Sequence, residues 1–332
     1  MAQVFLGVDH GAGASTPRPV VIKRLREHLS RDADALRRFL NEGELHARVK
    51  HPNVVAIHDI GRDERGLFIA LEWVDGASLH ALLHRAKELG VALDPRVGTR
   101  IVLDALRGLH AAHLARDDKG RPLGILHRDA TPHNILVGRD GRSCLTDFGV
   151  AKARGGRNLT EPGMVVGKLD YLSPEYLSRQ PVDVTMDIYS MGVTAWITLT
   201  GRRPFGDSER VSADMLTRRV PDVHPSAGVS PAVASVVHRA CSHDPRDRFR
   251  SAEAMADALE SAAIASDALA SQAEVAARVR AILHANAPRT LPPKETTKAW
   301  DKLGVDEDVW RSEAPTSRDA TIGFYEYVAS GR

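Results

Sequence analysis

The feature that most narrows what this chain can fold into is residues 127–134, HRDATPHN, followed after a short spacer by TDFG at 146–149. Asp129 stands five positions before the amide Asn134, and a second carboxylate, Asp147, follows closely. Two short β-forming runs, ILVG and SCLTD, flank the turn RDGR between them. Carboxylate, amide and carboxylate brought to neighbouring strand ends outline a site for a divalent cation on phosphates, with one carboxylate left to orient an attacking hydroxyl.

The rest of the chain falls into a strand-rich first part and a helical second part. Residues 3–8 and 19–25 are β-branched runs separated by GAGASTPR, a turn by composition. Residues 32–49 carry Leu36, Phe39, Leu40 and Leu45 at helical spacing and stop before HPN. Strands are expected at 54–60 and 67–73, then helices at 97–116, 251–262 and 268–285, the last with Val275, Val279, Ile282 and Leu283 on one stripe. Residues 150–172 form a long segment without a sustained period, and loops of that length inside a compact domain are usually functional.

Composition excludes several alternatives. The 45 basic and 43 acidic residues give a formal charge of +2, which offers no global attraction to nucleic acid or an anionic membrane. Two distant cysteines, Cys144 and Cys241, cannot build a disulfide framework or a thiolate zinc site. No segment reaches the ~20 apolar residues of a spanning helix, so a soluble cytoplasmic protein is expected.

The motifs in this order and spacing resemble those of protein kinases, most of all the bacterial Ser/Thr kinases of eukaryotic type. The resemblance covers about residues 1–262. It implies an α+β fold of two lobes: a small antiparallel sheet with one helix (1–74) and a larger, mainly helical lobe (75–262). Residues 263–286 would add an amphipathic helix and 287–332 a polar, disordered tail.

Carried over residue by residue, the resemblance makes Asp129 the carboxylate that orients the acceptor hydroxyl, and Asn134 and Asp147 the ligands of Mg²⁺ or, alternatively, Mn²⁺. Lys23, in VVIK, would hold the phosphates of ATP, and Glu42, which keeps the family's spacing to HPN better than the competing Glu44, would pair with it. Val4, Val21, Leu71 and Leu136 would wall the adenine, with main-chain groups of Glu72 and Val74 at its edge. Glu175 in SPE would pair with Arg248, and Asp187 would brace the catalytic loop. Thr160, the only Ser or Thr between Gly149 and Gly167, would be a phosphosite read by Arg128. The partners implied are ATP and proteins bearing Ser or Thr; no nucleic acid or membrane span is implied, and the oligomeric state is not legible.

Two departures stand out. MAQVFLG aligns with only the second half of the family's Gly-rich strand-loop-strand. Either the true start lies upstream, the preferred reading, or this cover over the nucleotide has been lost. In both cases the chain from Met1 is expected to hold ATP loosely and to leave strand 3–8 as an unpaired edge. Thr131 stands where most relatives have a lysine, and Lys168 where they have a threonine, as if the two had exchanged, with Lys168 reaching the phosphate from across the cleft. The alternatives are a pseudokinase or scaffold, supported by the short N-terminus, and a small-molecule phosphotransferase, opposed by the long loop with SPE, Asp187 and Arg248.

Overall fold

The computed structural model describes residues 2–9, 18–148, 166–205, 219–224, 228–284 and 322–325. The first layer is an antiparallel sheet of β1 (Ala2–Asp9), β2 (Arg18–Leu25), β3 (Ile57–Asp63) and β4 (Gly66–Glu72), ordered β3-β4-β2-β1. Helix α1 (Ala33–Ala47) packs on it through Phe39, 1% exposed. At Gly43 any Cβ would lie 2.9 Å from Ile69 Cδ1, so the helix sits close because this residue has no side chain.

The register of the first hairpin decides what faces the site. Val4 is opposite Lys23 and Leu6 opposite Val21, and directly opposed residues of an antiparallel pair share a face.

A small sheet of β5 (Gly76–Ser78), β6 (Ile135–Gly138) and β7 (Ser143–Leu145) leads into the helical body. That body contains α2 (Leu79–Glu88), α3 (Pro95–His113), α4 (Pro174–Leu177), α5 (Val184–Thr200), α6 (Pro231–Ala240), α7 (Ala252–Ala265) and α8 (Gln272–His284). Helices α1, α2, α3, α5, α6 and α7 each open on an Asp or Ser whose side chain accepts from the first-turn amides. Helix α5 is buried on every side from Thr185 to Leu199, as its apolar composition requires. Val275, Val279 and Ile282 of α8 join the same core.

Two expectations need correction. The strand expected at 54–60 lies at Ile57–Asp63, because Val54 and Val55 are used elsewhere: the Val55 amide donates to Leu145 O at 2.9 Å and Val54 bridges Leu145. The edge of β1 is not unpaired throughout. A last strand, β8 (Ile322–Tyr325), lies antiparallel on it at Leu6–Asp9, within the segment expected to be disordered. Among the described residues no helix is long and apolar enough to cross a membrane.

Candidate active site

Strand β2 and helix α1 meet at one ammonium group. Lys23 Nζ donates to Glu42 Oε1 at 2.6 Å and to Asp147 Oδ1 at 2.7 Å. Burial alone would lower the Lys23 pKa, but the two carboxylates outweigh it and raise it above the ordinary lysine range. Asp147 is presented by a left-handed backbone, φ 56°, a conformation that aspartate adopts more readily than most residues other than glycine. Phe148 behind it is fully buried against His46 and His127.

The loop 127–134 is held from below by Asp187, which is 0% exposed. Its carboxylate accepts from the amides of His127 (2.8 Å) and Arg128 (2.7 Å) and pairs with His113 Nε2 at 2.9 Å. Burial pushes the Asp187 pKa up, yet these donors prevail and hold it below the usual carboxylate range. Arg128 adopts φ 60°, and the strained turn sends the chain on to Asp129. Thr194 Oγ1 donates to Ala130 O at 2.9 Å, a second brace from α5.

Asn134 Nδ2 donates to Asp129 O at 2.8 Å, which directs the amide oxygen, the atom a hard cation takes, along the other branch. The oxygen donors of Asn134 and the part-exposed Asp147 are those a Mg²⁺ site supplies when phosphates complete the shell. Thr131 is 1% exposed, and its hydroxyl has no partner among the described residues.

Val21, Leu71, Val74 and Leu136 gather in one apolar cluster, whereas Val4 remains outside it, 55% exposed. Glu72 anchors the connection between the layers: its carboxylate bonds Arg142 and accepts from the Ala56 amide at 3.2 Å. Deeper in the body, Arg248 is 0% exposed, and its guanidinium contacts Glu175 at 2.8 and 2.9 Å, Ser242 O at 2.7 Å, and Thr185 O and His243 O at 3.0 Å. All five donors of the fork are satisfied, which is what allows this charge to be buried.

Thr160 lies outside the described residues, as does the side chain of Lys168, whose backbone is in the 3-10 turn Val166–Tyr171. The two cysteines are buried, with burial pushing each thiol up to about 12, as inert core residues.

A family profile described as "Protein kinase domain" matches residues 2–259. The chain belongs to the protein kinase family. It is 34% identical over 263 residues to the tyrosine-protein kinase MasK of Myxococcus xanthus, covering 78% of this chain and 41% of that protein. It is 35% identical over 255 residues to the serine/threonine-protein kinase PknJ of Mycobacterium tuberculosis, covering 74% and 41%. The crystal structure of the Mycobacterium tuberculosis PknI kinase domain matches with a TM-score of 0.55 at 26% identity, covering 77% of this chain and 89% of that one. The chain spans about two fifths of the length of the first two relatives. The PknI kinase domain shares the two-lobed fold described above.

Residues that sequence reasoning missed are those acting through others. His113 and Thr194 lie at ordinary helix positions and gain significance only from Asp187 and Ala130 across the fold. Asn53, whose Nδ2 donates to Ser143 O at 2.9 Å, lies in HPN, which the sequence marks only as a helix stop.

Proposed function

We propose that this chain transfers the γ-phosphoryl group of ATP to serine or threonine hydroxyls of protein substrates, as a cytoplasmic kinase of bacterial signalling. The observation that supports this most is the Lys23 ammonium held between Glu42 and Asp147. In this reading Lys23 binds the α- and β-phosphates while Glu42 holds it in place. Val4, Val21, Leu71 and Leu136 wall the adenine, and main-chain groups of Glu72 and Val74 meet its edge. Asp129 accepts the proton of the acceptor hydroxyl as its oxygen bonds to the γ-phosphorus and the bond to ADP breaks. Asn134 and Asp147 would hold Mg²⁺, or Mn²⁺, which when bound offsets the phosphate charge.

In the exchanged arrangement Thr131 supplies the hydroxyl and Lys168 the positive charge at the γ-phosphate. Thr160 and Arg128 form the regulatory pair, and Glu175, Arg248 and Asp187 keep the frame.

The exposure of Val4 favours a second reading, a pseudokinase whose adenine wall stays open on that side. Thermal shift with Mg-ATP, together with transfer of labelled γ-phosphate to a generic basic protein, separates the two. Nucleotide binding with phosphoserine or phosphothreonine as product supports the kinase. Binding without transfer supports the pseudokinase, and phosphotyrosine would move the acceptor to the class in the name of MasK.

A further inference from the structure

Strand β1 is bonded to β2 along its whole length, from Ala2 opposite Leu25 to Asp9 opposite Arg18. Its other edge carries β8 over four residues, with Leu6 opposite Tyr325, Gly7 opposite Phe324, Val8 opposite Gly323 and Asp9 opposite Ile322. The sequence marks the same segment independently. Residues 322–328, IGFYEYV, hold five β-branched or aromatic residues in seven, within a largely polar tail.

This edge belongs to the nucleotide cleft. Lys23 points its ammonium at Glu42 and Asp147, and Val4 is directly opposite Lys23, so Val4 and, two residues on, Leu6 face the same side. Strand β8 therefore extends the roof of the cleft outward from Leu6. The body also releases the chain close to the connection between the layers. His284, the last residue of α8, has its Nε2 2.9 Å from Arg139 Nη1, and Arg139 Nε donates to Asp75 at 3.2 Å, just beyond Val74. Residues 285–321 then connect that point to β8.

We propose that the segment around Ile322–Tyr325 is a cis-acting ligand of the β1 edge, and that its docking tightens nucleotide binding by completing the roof beside Leu6. The docking stands on the strand pairing alone; its effect on nucleotide rests on the kinase reading above. A strand with one edge in water exchanges its backbone hydrogen bonds freely and holds its cleft-facing side chains loosely. Adding a neighbour removes that freedom.

The test compares the full chain with a Gly323→Pro/Phe324→Pro variant and with a chain ending at residue 316. Two adjacent prolines remove the amide facing β1 whichever of the pair supplies it. Hydrogen exchange at residues 6–9 is expected to accelerate about tenfold or more in both altered chains, and a peptide of residues 318–332 added in trans to the shortened chain is expected to restore protection. A non-hydrolysable Mg-ATP analogue is expected to bind about three- to tenfold more weakly to both. Unchanged exchange at residues 6–9 overturns the docking. Accelerated exchange with unchanged affinity overturns the coupling to nucleotide, and protection that depends on protein concentration makes the occupant a second copy and overturns the cis arrangement. If no form binds nucleotide, the kinase reading and the coupling fail together, and the exchange experiment still decides the docking.

Discussion

Lys23 Nζ lies 2.6 Å from Glu42 Oε1, a contact that ties the second strand of the sheet to the only α-helix described in that layer. The pair is 16% and 13% exposed, so neither charge is well served by water if the other is removed. Glu42→Gln keeps the shape and removes the charge. Its kcat/KM for ATP is expected to fall about 10- to 100-fold while the circular dichroism spectrum stays that of the parent. Steady-state kinetics on purified variant and parent check this, and an unchanged kcat/KM would show the contact to be structural only.

Arg248 and Glu175 lie in the helical body away from Lys23 and should report on stability. Glu175→Ala leaves a guanidinium with 0% exposure facing an empty carboxylate position, and the expected loss is about 3–5 kcal/mol in urea unfolding. A loss within the error of the parent would mean that water reaches the site.

His46 supplies a pH dependence. It is buried, its Nε2–H donates to Val55 O at 2.8 Å, and burial lowers its pKa from 6.5 to about 4. The unfolded chain therefore binds a proton between pH 6.5 and about 4 that the folded chain refuses. Stability is flat above that window on account of this group and falls as pH drops through it, by about 3 kcal/mol in all. His46→Gln keeps a donor for Val55 O without the titration. Unfolding measured from pH 7.5 to 4.5 should show a shallower slope for this variant, and parallel slopes would assign the effect to other groups such as the fully buried His127.

Gly108 of α3 lies against the chain at Asn53, where a Cβ would come 2.3 Å from the Asn53 carbonyl oxygen. Gly108→Ala is expected to cost about 1–3 kcal/mol because the neighbour is backbone and must shift. A melting temperature equal to the parent's would place α3 further from that carbonyl.

Lys168→Ala tests the exchange with Thr131. Transfer to a protein substrate is expected to fall about 100-fold, with nucleotide affinity changed far less. Full activity would leave Lys168 as a solvated loop charge.

Much of the site was legible because its residues sit in contiguous motifs. HRDATPHN and TDFG named Asp129, Asn134 and Asp147, and the structure places Asp147 on Lys23. Local pattern marked α1, α3, α7, α8 and most of the strands, but not α2, α4 or α6. What sequence could not show depends on partners far along the chain. Val54 and Val55 have the composition of a strand, but Leu145 takes their backbone, so β3 begins three residues later than expected. The outer β1 edge was expected to be bare because MAQVFLG matches only the second half of the family's strand-loop-strand, whereas its neighbour Ile322–Tyr325 comes from the opposite end of the chain. His113 carries no signal as a histidine on a helix until Asp187 is placed beside it.

In the proposed function Asp129, on a loop held by Asp187, serves transfer of phosphate from ATP. The most direct measurement is the rate of γ-phosphate transfer to a protein substrate by the parent and by Asp129→Asn, with nucleotide affinity measured on the same samples. Asp129→Asn is expected to lose about 10²–10⁴-fold in transfer with affinity unchanged within about threefold. Equal transfer by both proteins would contradict it.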